Sequence, residues 1–469
     1  MAINQFDLRN KELLSGIQGN ILKPHGRHHT ANLFISGTNG RQAEVKAWLQ
    51  SLVEGEDAPI RSCYAQLRSN ALWKDKKIDS GTFACIHISK SGYAYLFERA
   101  DVCANKFELT YVNGIKEADL NDPELETWDA GMNDSAHFLL ILADAKPERL
   151  TRQMTDVQNA IGGFAEVVAV QTGDAIFNKE GAGLEHFGYV DGISQPLFFE
   201  DEIAGYRVQN NIPSTTPPED FIFNPAADID LVLLKDPFAE SENAMGSFLV
   251  FRKLEQNVKG FKKAEEDLAK KLGLTGDDAE RAGAMLVGRF EDGTPVELSA
   301  EAGLINSAVL NNFDYDFKDE SKCPYHAHIR KTNPRSDLVN SPIKEDAKKF
   351  IMARRGITYG KREADLSDQP TKDVGLLFMS YQKSIAHQFE VIQQRWANNE
   401  DFINRKSSNK VGLDLVIGQG ERKPLGAYAQ VWGQPDTKQP GFEQFVTMKG
   451  GGYFFAPSIE FLKNVNPII

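Results

Sequence analysis

The chain has 469 residues, 53 Lys and Arg against 66 Asp and Glu, a formal net charge of −13, 41% hydrophobic and 10% aromatic content. This is the composition of a folded globular protein too long for one ordinary core, and its acidic balance excludes nucleic acid and anionic membrane, which both call for a basic face. The longest apolar stretch (138–143) is too short to span a bilayer, residues 1–9 carry no apolar signal or twin arginine, and Cys63, Cys85, Cys103 and Cys323 have no zinc or CxxC spacing, so a cytoplasmic protein with free thiols is expected.

In chain order, His25-Gly26-Arg27-His28-His29 reads as a solvated loop, since its three histidines have no acidic or cysteine partner at metal-binding spacing. A strand follows at 31–34 and a helix at 43–53, then strands at 82–88, 93–97 and 137–143. Pro147 opens a helix over 146–160, where its fixed φ suits the first turn, and a strand follows at 167–171. The proline-rich polar stretch 210–220 reads as a connection between halves. Beyond it the expectation is strands at 231–234 and 247–251 and a charged helix at 255–272. Residues 347–352 lead into a turn at Arg354, with a strand at 375–382 and a helix at 385–398 after it. Antiparallel strands backed by helices in two halves, 1–210 and 211–469, make an α+β protein.

Three segments carry chemistry. Residues 323–335, Cys-Pro-Tyr-His-Ala-His-Ile-Arg-Lys-Thr-Asn-Pro-Arg, set two imidazoles two residues apart among cations and prolines. Prolines remove backbone donors and fix φ, so a stiff loop or short extended piece is expected rather than helix. A rigidly held neutral imidazole suits iron, and the cations suit an anionic cofactor such as haem with its propionates; hydrogen-bonding histidines in a basic loop are the plainer alternative. In Gly188-Tyr189-Val190-Asp191-Gly192 the carboxylate sits between glycines that permit close approach to a flat ligand, or else marks a solvated Asp-Gly turn. Arg354 and Arg355 follow the apolar 350–352, so one points inward, toward an anion, unless both are solvated at a helix end.

Together these segments resemble the dye-decolorizing peroxidases, a haem peroxidase family, and the likeness covers most of the chain. It includes Ile17-Gln18-Gly19-Asn20-Ile21-Leu22, the GxxDG of 188–192, Gly246 to Arg252, Ala327 to Arg335, Arg354 to Gly360, and Gly450 to Pro457. The resemblance implies two ferredoxin-like domains, the N-terminal one (1–210) carrying GxxDG and the C-terminal one (211–469) holding one haem b. It implies His328 as proximal iron ligand, Asp191 as distal acid–base carboxylate and Arg354 as distal arginine. Asp414 is the match to the acid that accepts a proton from the proximal imidazole, with a helix or turn cap as its alternative. His326 matches no ligand.

Arg330, Arg335 and Arg252 are candidates for the propionates, because guanidinium forks pair with carboxylates. Leu376 and Phe378 share a strand face and form either an apolar wall of the distal pocket or ordinary strand core. The implied function is reduction of hydrogen peroxide with oxidation of bulky organic donors, such as dyes and phenols, through a ferryl intermediate. Two rivals stand beside it. A haem carrier would need His328 and the propionate clamps but not Asp191 with Arg354. In a non-haem interaction module the same segments would be structural turns.

Overall fold

Among the described residues, apolar alternation is expressed as seven strands of six or more residues: β1 (His29–Gly37), β2 (Phe83–Ile88), β3 (Phe138–Asp144), β4 (Ala165–Asp174), β5 (Met245–Gln256), β6 (Gly375–Gln382) and β7 (Val446–Ala456). The computed structural model describes residues 2–466 apart from 56–57, 134, 305–310, 342, 364, 404–409 and 436. The strands join in one antiparallel sheet in the order β6–β5–β7–β2–β3–β1–β4, with the short strands Ala353–Arg354 and Ile357–Tyr359 along the outer side of β6.

With Ile357–Tyr359 counted as the second strand of the second half, the spatial order within each half is fourth, first, third, second, with helices in the two crossovers, which is the ferredoxin-like arrangement. The expected α+β class is borne out. Residue 210, where a boundary was expected, falls between the last long strand of the first set and the first of the second.

The two sets meet where Phe455 of β7 pairs with Ile88 of β2. The outer edges also approach one another: the Thr358 hydroxyl donates to the Asp174 carbonyl, and a Cβ on Gly173 would lie 2.5 Å from Ile357 Cγ2. The sheet thus curls nearly closed. Alternate side chains divide between two cores, as a period of two requires. Phe34, Leu139, Ile141, Phe251, Met379 and Phe454 fill the inside, while Leu33, Ile35, Leu140, Val250, Tyr453 and Phe455 pack outward under the helices.

Several local expectations are corrected. Residues 93–97 are not a strand: Ser89 accepts a hydrogen bond from the Gly92 N–H and starts the helix Lys90–Phe97, so the cap overrides an aromatic-rich run. Residues 231–234 split into a 3-10 turn at Ile229–Leu231, capped by Asp228, and a two-residue strand, Leu234–Lys235. The helix expected from 255 begins only at Val258, after the Asn257 cap, because β5 runs on through Gln256. The helix over 385–398 is present as π-helical turns, Ile385–Phe389 and Val391–Ala397.

Burial of histidine makes the fold acid-sensitive. His87, His186 and His326 are each 0% exposed. Burial pushes His87 and His326 down to about 3 and His186 down to about 4. Below the ordinary imidazole value the unfolded chain binds these protons and the folded one does not, so stability falls as pH drops from about 6.5 toward 4. Three such groups would add up to about 4 kcal/mol per pH unit, at about 1.4 kcal/mol each, offset in part by His328 and by Glu297, which burial pushes up to about 7. Urea midpoints at pH 7.5, 6 and 5 are expected to fall over this span; equal midpoints would contradict it.

Candidate active site

His328 opens a one-turn helix, His328–Thr332, so the expected loop or extended piece is corrected: the prolines at 324 and 334 lie outside the turn and limit it to five residues. The Thr332 hydroxyl donates to the His328 carbonyl at 2.9 Å, and the Lys331 ammonium fastens the turn to the Asn399 carbonyl at 2.6 Å. His328 Nδ1 lies 2.9 Å from Asp414 Oδ2 and 3.2 Å from Oδ1. Asp414 is fully buried, and Oδ1 also accepts the N–H groups of Val416 and Ile417, both at 2.8 Å.

Burial by itself would raise the Asp414 carboxyl, but His328 and the two N–H donors outweigh it and hold the group below its ordinary value. Burial likewise opposes charge on His328, and Asp414 outweighs it, so this imidazole is raised. With Nδ1 given to Asp414, Nε2 is left to accept from, or ligate, something else.

His326, two residues earlier, is turned away. It packs edge-on to Tyr428 with ring centroids 4.8 Å apart and does not line the cavity that His328 lines.

That cavity, about 1600 Å³ with its mouth, also brings Asp191, Arg354, Leu376 and Phe378 together. Asp191 stands between Gly188 and Gly192, whose φ values of +98° and +82° favour glycine. Its backbone N–H donates to the Gly183 carbonyl at 2.9 Å. Arg354 Nη1 donates to Asp191 Oδ1 at 3.1 Å and Nη2 to the Ile193 carbonyl at 2.8 Å, while the Arg354 N–H donates to Gln195 Oε1 at 3.1 Å. The adjacent guanidiniums diverge, as strand neighbours do. Arg355 is buried and donates to the Asn20 and Ile21 carbonyls, both at 2.7 Å, so it is held by neutral acceptors and not by the expected anion. Leu376 and Phe378 share one face of β6 and line the cavity beside Ile351 and Met352.

The candidate arginines separate. Arg330 is corrected: it does not line the cavity. It lies fully buried, donating to Asp337 Oδ2 at 2.7 Å and to the Asp316, Asp319 and Cys323 carbonyls. Residues two apart on a helix point about 200° away from each other, so Arg330 cannot share the direction of His328. Arg252 lines the cavity, but its guanidinium grips Asp122 in a fork at 2.7 and 2.5 Å.

Arg335 lines it without a carboxylate partner among the described residues, and so does Arg289, which the sequence reading missed. A lone cation within the apolar run 282–290 was the only signal for Arg289. Burial, and then Arg335 beside it, push Arg289 down to about 9. An imidazole with one free nitrogen, apolar walls and two buried guanidiniums without counter-charge fit a flat apolar ring that carries iron and carboxylates.

Comparison with known proteins agrees with this chemistry. The family model described as Dyp-type peroxidase, C-terminal, matches residues 224–413. The chain is 40% identical to the multifunctional dye peroxidase DyP2 of an Amycolatopsis species, over 97% of this chain and 96% of that one. It is 29% identical to the dye-decolorizing peroxidase AauDyP1 of Auricularia auricula-judae, over 94% and 85%. Among solved structures, a DyP-type peroxidase from an Anabaena species superposes with a TM-score of 0.89 at 34% identity, covering 99% of this chain and 97% of that one. The Amycolatopsis DyP2 structure gives 0.89 at 38%, covering 99% of both.

Fold and relatives define an oxidoreductase of the peroxidase class. Within that class, the chain belongs to the dye-decolorizing peroxidases, haem enzymes that take peroxide as oxidant.

Proposed function

We propose that this protein binds one haem b between His328 on the proximal side and the Asp191–Arg354 pair on the distal side, and couples reduction of hydrogen peroxide to oxidation of bulky organic donors such as dyes and phenols. The single observation that carries this reading is that one cavity gathers His328, backed by Asp414, with Asp191 and Arg354 from distant parts of the chain. Bound haem supplies the iron at which peroxide is reduced by two electrons, later replaced one at a time by donors.

The chain's own groups do the rest. His328 Nε2 would hold the iron, and donation of Nδ1–H to Asp414 would make the imidazole more electron-rich. Asp191 would take a proton from one oxygen of hydrogen peroxide and return it to the other as the O–O bond breaks, acid–base work contributing roughly 10²–10⁴-fold. Arg354 keeps a positive charge beside that carboxylate and stabilises negative charge developing on the departing oxygen. Leu376 and Phe378 keep the distal side apolar, so that these few charges act in a low dielectric. Arg335 and Arg289 would hold the propionates, with Arg252 kept from that role by Asp122.

No helix among the described residues is long and apolar enough to cross a membrane. The four cysteines are buried and free, which supports a reducing, cytoplasmic setting.

Haem-loaded protein is expected to bleach an anthraquinone dye only when peroxide is present, and the haem-free protein not at all. Bleaching that is independent of haem, or none with either form, would overturn the assignment.

A further inference from the structure

The cationic edge of the cavity is built around a neutral residue. Asn311 is 7% exposed and lies behind the cavity wall. Its side-chain oxygen accepts three hydrogen bonds: from Arg335 Nη2 at 2.8 Å, from Arg289 Nη2 at 3.1 Å and from the Ser194 hydroxyl at 2.7 Å. The guanidiniums' other bonds end on carbonyls, Gly293 for Arg289 and Asn311 and Phe313 for Arg335. Arg289 and Arg335 are only 4% and 6% exposed. Asp314, the carboxylate that neighbours Arg335, is turned to the Tyr315 and Ser336 N–H groups.

An aspartate would fit the same space and accept the same three bonds, more strongly. It would also cancel charge that burial makes costly. The amide gathers both cations and neutralises neither.

We propose that Asn311 is the specificity-determining residue at this edge: it aligns Arg289 and Arg335 while leaving both positive charges to a ligand bearing two carboxylates. Through Ser194 it also ties that edge to the loop that carries Asp191. The inference rests on the haem reading above and adds the residue that selects the anionic edge.

The test titrates haem-free protein with iron protoporphyrin IX and with its dimethyl ester, following absorption and tryptophan quenching. The wild-type protein is expected to bind the free acid roughly tenfold or more tightly than the ester, since the ester cannot pair with the guanidiniums. Asn311→Asp places a competing charge against both cations. It is expected to lose this preference, through weaker binding of the free acid by a similar factor, while its thermal midpoint stays at or above that of the wild type. Asn311→Ala removes the acceptor that aligns both guanidiniums without adding charge, and is expected to reduce the preference by less than Asn311→Asp does. An aspartate variant that discriminates as well as wild type overturns the role of Asn311, and so does an alanine variant that discriminates as well as wild type. A wild-type protein indifferent to esterification instead overturns the anionic-edge reading itself.

Discussion

His328→Ala protein is expected to lose most of its bound haem, whereas His326→Ala keeps it. The two imidazoles are two residues apart and chemically identical, so the difference isolates geometry. One lines the cavity with Nδ1 fixed by Asp414; the other is sealed against Tyr428, with neither ring nitrogen hydrogen-bonded within the described structure. Removal of His326 costs stability because it opens a hole in packed core, so both variants are compared at equal folded fraction by far-ultraviolet circular dichroism. Free imidazole, which fits the space the side chain leaves, is expected to restore haem absorption in the His328 variant. Asp414→Asn, acting through the ligand, is expected to weaken haem binding by roughly 10–100-fold. Equal haem loss from both alanine variants would remove His328 as the ligand.

Asp191→Asn is the second large effect. Asparagine keeps the size of the side chain and an oxygen that can accept from Arg354 Nη1, so haem binding and the loop from Gly188 to Gly192 are expected to persist. It has no basic oxygen to take a proton. Reaction with peroxide is therefore expected to slow by roughly 10²–10⁴-fold, with haem affinity within a factor of a few of wild type. An unchanged rate would move the proton transfer to another group, Arg354 or water.

Much of this is legible in the sequence. The β6 strand is legible to its end residues, because Gly375 to Gln382 alternates without a competing cap or proline. His328, Asp191, Arg354, Asp414, Leu376 and Phe378 converge on one site although more than 200 residues separate the first of them from the last; of these only Asp414 stands behind the cavity wall, bonded to His328. What stayed hidden was direction. Sequence spacing cannot say that a five-residue turn sends Arg330 away from His328, nor that Asp122 occupies the Arg252 fork from 130 positions away. Arg289 and Asn311 carry no motif, and their meaning appears only when the fold brings them to Arg335. At residues 93–97 composition favoured a strand, and one serine cap reversed it.

The most direct test of the account is a stopped-flow absorption record of haem-loaded protein mixed with one equivalent of hydrogen peroxide. The account predicts that the Soret band falls and shifts within milliseconds and recovers when a reducing dye is added, with the fast phase nearly abolished in Asp191→Asn. A band that stays in place, or bleaches slowly without recovery, would mean that haem is cargo and that the distal pair does not act on peroxide.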